Sequence, residues 1–217
     1  MKLLILSDLH AEFESFEVPK DLDYDVAILA GDIVAPGRVA ARWLRNPARF
    51  GDKPIVQIAG NHEYYESVMD PELAEMRRQA EAHDIHFLDR DEVVIAGVRF
   101  LGCTLWTDFG LRIDDPGFAG QPVRQLSDRH RSMDACARYL ADYAAIRVDD
   151  PYTSNSRGTR RLAPMDTLLI HRRHRAWLRR KLAEPCDGRT VVVTHHAPHR
   201  GSLAPRFGQG GASGGFV

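Results

Sequence analysis

The sequence is poor in cysteine, carries almost no net charge and contains no long apolar run. Its three cysteines, Cys103, Cys136 and Cys186, are odd in number and lack Cys-x-x-Cys spacing, which argues against a disulfide framework and a structural zinc site. The formal net charge of -1 gives no chain-wide attraction to polyanions. Asp8 interrupts the first apolar run too early for a signal peptide, and no run is long enough to span a membrane. We therefore expect a cytoplasmic protein with reduced thiols and no membrane association.

The length and composition are typical of an ordinary globular protein. The 217 residues, of which 44% are hydrophobic and 27% are charged, suffice to bury a substantial core and do not indicate disorder. A chain of this length fits one domain. We therefore expect a single domain over residues 1–217, and the sequence gives no indication of its oligomeric state.

Four apolar runs have the length and composition of buried β-strands, and polar residues follow each of them directly. The runs are residues 2–7, Val26–Ala30, residues 55–59 and Thr190–Thr194, and the segments that follow are Asp8-Leu9-His10, Gly31-Asp32, Gly60-Asn61-His62-Glu63 and His195-His196. In parallel α/β sheets, ligands gather at the carboxyl ends of the strands. Because side chains alternate along a strand, Asp8 and His10 are expected to project the same way, as half of a claw for a divalent metal.

Helices are predicted between the strands. A short helix is expected over residues 39–46, and a longer one begins at Asp70, where an Asp-Pro-Glu sequence supplies an N-cap and a proline in the first turn, and runs to about His83. Residues 85–88 and 93–103 are predicted strands with a turn at Gly97, and further helices are expected over residues 133–146 and about 170–182. The irregular segments 104–131 and 149–164 either rim an active site or are solvent-facing insertions.

The helix predicted over residues 170–182 is strongly basic. It carries Arg172, Arg173, Arg175, Arg179, Arg180 and Lys181. A basic helix can bind nucleic-acid phosphates, but in a chain of balanced total charge the commoner role is a solvated outer face. Nucleic acid is therefore kept as a partner that the sequence does not favour.

The polar segments match, in order, four motif blocks of a known family. Asp8-Leu9-His10, Gly31-Asp32, Gly60-Asn61-His62-Glu63 and His195 correspond to D-x-H, G-D, G-N-H-[DE] and H. In these motifs, which span nearly its whole length, the chain resembles the calcineurin-like metallophosphoesterase superfamily. The resemblance implies an α/β fold, a four-layer α/β-β-α sandwich that hydrolyses phosphate mono- or diesters with a hydroxide activated by two metal ions. The implied substrate is a phosphorylated small molecule or a nucleotide, with a nuclease acting on nucleic-acid phosphodiesters as the alternative.

The resemblance also implies a role for each residue. Five residues would hold the ions: Asp8 and His10 on one, Asn61 and His195 on the other, and Asp32 as the bridge between them. His62 would stabilise the transition state and protonate the leaving alkoxide. Two divalent ions about 3.5–4 Å apart can clamp an in-line displacement at phosphorus. The expected ions are Mn²⁺, with Fe, Zn, Co or Ni as alternatives.

Simpler structural roles stay open for several of these residues. Asp8 and Asp32 could cap a following turn or helix, and Asn61 could belong to a simple turn. His196 either contacts the substrate or supports the site from behind, or it is purely structural. Glu63 is expected to hold its loop in place.

The chain departs from the family pattern at two places. No Gly-His-x-His block follows His195, and in the family this block supplies one histidine to each ion. We therefore expect a C-terminally truncated domain, with some tens of residues absent, that is weakly active or only binds ligand. Phosphoprotein phosphatases of the superfamily carry G-D-x-x-D-R-G, whose second Asp orients the catalytic histidine. Ala35 stands at that position here, so a Ser/Thr protein phosphatase is disfavoured.

Overall fold

Eleven strands and five α-helices lie in the part of the chain that the structure describes. The computed structural model describes residues 1–19, 21–111, 113–115, 124–126, 129–150, 158–203 and 211–217. Within these ranges the strands are β1 (Leu3–Leu6), β2 (Val26–Ala30), β3 (Ile55–Ile58), β4 (His86–Phe87), β5 (Asp91–Ile95), β6 (Val98–Cys103), β7 (Ile113–Asp115), β8 (Arg124–Leu126), β9 (Arg147–Asp149), β10 (Thr159–Arg161) and β11 (Thr190–Thr194). The helices are α1 (Ala40–Leu44), α2 (Met69–Ala82), α3 (Arg129–Tyr139), α4 (Asp142–Ala145) and α5 (Pro164–Ala183).

Two sheets carry the fold. The first has the strand order β1-β2-β3-β4, and all its neighbours are parallel. The second has the order β11-β6-β5, in which β11 and β6 are parallel while β5 and β6 form an antiparallel hairpin. The carboxyl ends of β1, β2 and β3 therefore meet at one edge, as the sequence predicted.

The two sheets pack face to face through apolar side chains. Ile28, Val56 and Ile58 of the first sheet meet Phe100 and Val193 of the second in one buried cluster. Their burial supplies the hydrophobic free energy that holds the sheets together, about 1.5–3 kcal/mol for each large side chain. This contact brings the end of β11, and with it His195, to the same edge as the loops after β1 and β2.

Helices cover the outer faces of both sheets. Ala41 and Leu44 of α1 and Met76 of α2 pack with Leu29 and Ile55 on the other face of the first sheet. Helix α5 lies against β6. The order of layers is thus helix, sheet, sheet, helix, which confirms the predicted α/β sandwich architecture.

Helix α5 begins earlier than the sequence pattern predicted, at Pro164 rather than near residue 170. The side chain of Asp166 accepts a hydrogen bond of 2.9 Å from the backbone N–H of Ala163, and Pro164 occupies the first helical position. These two features are ordinary helix-start signals. The predicted start was too late because it rested on the apolar residues at helical spacing that begin near residue 170. Within the described ranges, no helix is long and apolar enough to cross a membrane.

The helix predicted over residues 133–146 is instead two helices. Helix α3 ends at Tyr139, α4 follows at Asp142, and the chain then turns into β9. The predicted loop at 149–164 contains the strand β10, which pairs antiparallel with β9. The break places Asp142 at the start of a four-residue helix, where its side chain is directed inward and buried.

Candidate active site

The loops after β1 and β2 are joined to each other by backbone hydrogen bonds. The N–H of Asp8 donates to the carbonyl of Gly31, and the N–H of His10 donates to the carbonyl of Asp32, each at 3.1 Å. Asp8, His10 and Asp32 all have left-handed φ values, of 54°, 45° and 54°. Such values are uncommon in residues other than glycine, and they cluster at functional sites because surrounding contacts must hold them.

Strand alternation, which predicted that Asp8 and His10 project the same way, does not explain their positions. Strand β1 ends at Leu6, so the alternation of side chains along a strand does not extend to these two residues. Their place at the site depends instead on the hydrogen bonds to the loop of Gly31 and Asp32. The structure places both residues beside Asp32, but in different clusters of potential ligands.

Asp32 is the centre of the site and is shared by two clusters of potential metal ligands. One cluster contains His10, Asp32 and His62, and the other contains Asp8, Asp32 and His195, with the ligand atoms of each cluster within 4.8 Å of one another. The Asp32 side chain is almost fully buried, at 4% exposure. Its Oδ2 lies 3.4 Å from His195 Nε2 and 3.9 Å from His10 Nε2.

The grouping differs from the one that the resemblance implies. Asp8 lies with His195 rather than with His10, and His62 lies in the cluster of His10. Asn61 is close to the cluster of Asp8, because its Oδ1 is 3.0 Å from His195 Nε2. All six predicted site residues are therefore brought together, around two centres that share one carboxylate.

Electrostatics couple Asp32 and His195. Burial raises the pKa of Asp32, but the hydrogen bond and positive charge of His195 and the backbone N–H of His62 outweigh it, so the pKa is lowered overall. For His195, burial lowers the pKa, while the hydrogen bond and charge of Asp32 raise it to about 9. Since His195 Nδ1–H donates to the Ala30 carbonyl at 2.9 Å, Nε2 is the atom that faces the site. That nitrogen can ligate a cation once its proton leaves.

Glu63 holds the loop that carries Asn61 and His62, as predicted. Its carboxylate is completely buried and accepts hydrogen bonds from the backbone N–H groups of Asp32, Ile33 and Gly60, at 2.9, 2.7 and 2.7 Å. Burial and the negative charge of Asp32 raise the pKa of Glu63 to about 7, against the effect of these three donors. The side chain therefore ties the loop after β2 to the loop after β3.

The site opens into a cleft of about 660 Å³. Its lining consists of the six predicted site residues and five residues that follow β11: Asp8, His10, Asp32, Asn61, His62, His195, His196, Ala197, Ser202, Leu203 and Phe216. A cleft of this size is large enough for a small phosphorylated molecule.

The sequence matches the family model of the calcineurin-like phosphoesterases over residues 1–212. The chain belongs to the calcineurin-like phosphoesterase family. No curated protein matches the sequence. The family is one of metal-dependent phosphoesterases, so the shared carboxylate and the surrounding imidazoles are the donor set in which a divalent metal is expected.

The donor set of this phosphoesterase fits divalent ions chemically. The carboxylates of Asp8 and Asp32, the imidazoles of His10 and His195 and the amide oxygen of Asn61 are ligands suited to Mn, Fe, Zn or Co. Two buried polar atoms beside the site, His10 Nδ1 and Glu12 Oε1, have no hydrogen-bond partner among the described residues. In metal sites a carboxylate commonly accepts a hydrogen bond from the non-ligating nitrogen of a histidine, and these two atoms lie 3.5 Å apart.

Three residues of the phosphoesterase site escaped prediction from the sequence. Glu12 lies two residues after the D-x-H block, in a stretch that looked merely polar, and its proximity to His10 was the available signal. Tyr65 stacks on His62 with a ring separation of 4.1 Å. Asp142 accepts a hydrogen bond from Asn61, which is 81 residues away in the chain, so no local pattern could have indicated it.

His196 lies behind the phosphoesterase site and lines part of its cleft. Its backbone N–H donates to the Thr104 carbonyl at 3.1 Å, and its ring lies 5.2 Å from that of Trp106. Burial and the charge of His195 lower its pKa to about 3, so the ring is neutral. These contacts support a packing role, while its place in the cleft lining keeps contact with a substrate open.

Proposed function

We propose that the protein hydrolyses phosphate mono- or diesters of small molecules or nucleotides with two divalent ions, Mn²⁺ in the first instance. The observation that carries this proposal is the sharing of Asp32 between two clusters of ligand atoms. A buried carboxylate with donors on both sides is what two neighbouring cations require, because it offsets their mutual repulsion. When bound, such ions supply an activated water and neutralise charge on the phosphate and the leaving oxygen.

The residues around Asp32 are already oriented toward such a centre. His195 is fixed from behind by the Ala30 carbonyl, so that Nε2 faces the site. Asn61 presents a neutral amide oxygen to the same point. Following the family pattern, we propose that these two residues and Asp32 hold one ion, while Asp8, His10 and Asp32 hold the other. This assignment requires the exposed side chain of Asp8, which lies in the cluster of His195, to turn toward His10 when the ions bind. Each ion then has three ligands among these residues.

His62 is the proposed general acid. Its backbone N–H donates to Asp32 Oδ1 at 2.9 Å, which fixes the residue beside the proposed bridge. Its ring lies against those of Tyr65 and His10, at 4.1 and 4.4 Å, and lines the cleft. An imidazolium held there can give its proton to the leaving alkoxide.

Hydrolysis of an aryl phosphodiester and of the matching monoester, with Mn²⁺ and with a chelator, tests the proposal. We expect the wild type to cleave at least one ester only with metal, and Asp32→Asn to abolish that activity. Asp166→Asn is the matched control, because Asp166 is a partly buried carboxylate that pairs with Arg160 on another part of the fold. Silence of the wild type on both esters, with or without metal, would contradict an enzyme and favour a protein that only binds ligand.

A nuclease is the second candidate, and the surface of α5 is the observation that favours it. Five arginines of this helix are exposed: Arg172, Arg173, Arg175, Arg179 and Arg180. Binding to nucleic acid through such a surface weakens steeply with salt because counterions are released. Hydrolysis of a small ester should change little over the same salt range, so parallel salt titrations on a small diester and on an oligonucleotide separate the two candidates.

A further inference from the structure

Asp142 reaches the candidate site from α4. Its side chain is buried, at 7% exposure for the residue. One oxygen, Oδ1, accepts two hydrogen bonds, from Asn61 Nδ2 at 2.8 Å and from the hydroxyl of Tyr65 at 2.6 Å. Among the residues that the structure describes, no cationic side chain forms an ion pair with Asp142. A buried carboxylate without a cation is costly unless polar groups satisfy it, and here the groups that do so are both residues of the site.

The carboxylate decides which way the amide of Asn61 points. A side-chain amide has one oxygen, which accepts, and one NH₂ group, which donates. An ionised carboxylate can only accept, so the NH₂ group must face Asp142. The amide oxygen is thereby directed to the opposite side, where it lies 3.0 Å from His195 Nε2. Only the oxygen can ligate a cation, so this orientation is the one that a metal site needs.

The same oxygen atom of Asp142 also fixes the ring on which His62 rests. Tyr65 donates to Asp142, and its ring stacks on that of His62 at an interplanar angle of 21°. Asn61 and His62 are neighbours in one loop, but their side chains face different atoms of the site. Through its two hydrogen bonds, Asp142 sets the position of both side chains from a single point.

We propose that Asp142 is a positioning residue, which holds Asn61 with its oxygen toward the metal centre and, through Tyr65, holds the ring of His62. This inference rests on the proposed metal-dependent function. It adds a residue from the segment between β6 and β11, outside every motif block of the family. Asp142 acts on the reaction through Asn61 and Tyr65, and it touches neither the ions nor the substrate.

Manganese binding to the purified chain, measured by calorimetry and by electron paramagnetic resonance, tests the role on Asn61. Asp142→Leu keeps the approximate size but removes the acceptor. We expect it to weaken one of the two Mn²⁺ ions by about 10–100-fold while the other changes little. Asp142→Asn should recover most of the affinity, because an amide oxygen can still accept from Asn61 and Tyr65. Asp166→Leu is the matched control, expected to lower thermal stability without changing Mn²⁺ affinity.

A second test does not require that Asp142→Leu folds. It asks whether the effect of Asp142→Asn on Mn²⁺ binding has opposite signs in the wild-type and Asn61→Asp backgrounds. Asn61→Asp places a carboxylate against that of Asp142, so the two repel and Mn²⁺ binding should suffer. Adding Asp142→Asn to this variant supplies an amide donor, and we expect binding to improve relative to Asn61→Asp alone. In the wild-type background the same Asp142→Asn change should weaken binding slightly. A role confined to stability predicts the same direction of change in both backgrounds.

The effect of Asp142 on His62, which acts through Tyr65, is tested by measuring kcat. Tyr65→Phe removes the hydroxyl and keeps the ring, and we expect kcat to fall several-fold while Mn²⁺ affinity stays within about 3-fold of the wild type. If the wild type binds Mn²⁺ but Asp142→Leu binds both ions equally well and Asp142→Asn shows no sign reversal, the positioning role is overturned and the proposed function stands. If the wild type binds no Mn²⁺, both fail together.

Discussion

The backbone N–H of Ala35 donates a hydrogen bond of 3.2 Å to Oε2 of Glu12. The other oxygen of Glu12, Oε1, lies 3.5 Å from His10 Nδ1 and 3.7 Å from His62 Nδ1. In related phosphoprotein phosphatases an aspartate at the position of Ala35 orients the catalytic histidine. Ala35 has no carboxylate, but the loop after β1 brings that of Glu12 next to both Ala35 and His62.

Replacing Glu12 should therefore impair proton transfer to the leaving group. In Glu12→Gln we expect kcat to fall about 10–100-fold on an alkyl phosphate ester, because a poor leaving group needs the proton that His62 is proposed to give. On a nitrophenyl ester, whose leaving group is stable as an anion, the fall should be only a few-fold. The measurement is kcat on both esters at saturating Mn²⁺. Glu14→Gln, at an exposed acid two residues further along, is the control. Equal losses on both esters would show that Glu12 does not act through the acid.

Replacing Glu63 is expected to lower the stability of the fold more than replacing the nearby exposed Glu66. Its carboxylate accepts three backbone N–H groups, and a glutamine can satisfy at most those on one oxygen. At about pH 4.5 the folded carboxyl is protonated, because its pKa is raised to about 7. There Glu63→Gln should lower the free energy of unfolding by about 1–3 kcal/mol, since a buried donor loses its partner. The difference should shrink as pH rises toward about 8, because ionising the buried carboxyl then costs the wild type stability. Urea denaturation measures this, with exposed Glu66→Gln as the control. A change within about 0.5 kcal/mol would mean that the loops are held by other contacts.

Gly31 is required by the close approach of two loops. Its φ is 91°, and a Cβ atom there would lie 2.6 Å from the backbone nitrogen of Gly60 and 2.7 Å from His195 Nδ1. Gly51 also has a left-handed φ, of 58°, but a Cβ there would meet open space. Gly51→Ala should therefore cost about 1–2 kcal/mol from backbone strain alone.

Gly31→Ala should cost clearly more than Gly51→Ala and should also weaken Mn²⁺ binding, because His195 must move. Thermal unfolding and calorimetric titration of the two variants make the comparison. Equal stability losses, with metal binding unchanged in both, would contradict the packing role of Gly31.

The sequence predicted the parts of the site that local pattern encodes. Apolar strands followed by Asp8, Asp32, Asn61 and His195 placed these residues at one edge of a parallel sheet, because strand direction alone brings carboxyl ends together. The pattern could not place Asp142, whose contact with Asn61 depends on a break between α3 and α4 and on long-range packing. Side-chain grouping around Asp32 also escaped prediction, since it is set by left-handed loop residues rather than by strand alternation.

His174 should make the stability of the fold depend on pH. The ring is buried on α5, its Nδ1 accepts a hydrogen bond of 3.1 Å from the backbone N–H of Leu105, and its Nε2 lies 3.5 Å from Asp89 Oδ1. Burial and the positive charge of Arg90 lower the pKa of His174 to about 3, from 6.5 in an unfolded chain. The folded ring thus stays neutral over a range where the unfolded ring takes a proton.

Stability from this histidine is therefore present above pH 6.5 and is lost as pH falls toward 3, by about 1.4 kcal/mol for each pH unit inside that window. Urea unfolding at about pH 5, 6 and 7, without added metal, should show a shallower dependence in His174→Gln than in the wild type. The His130→Gln variant should keep the wild-type slope, because folding leaves this side chain exposed to solvent. His171 and His196 also have lowered pKa values, so the variant keeps part of the dependence. Identical slopes in His174→Gln and the wild type would mean that this ring is already protonated in the folded protein, with Asp89 as its partner.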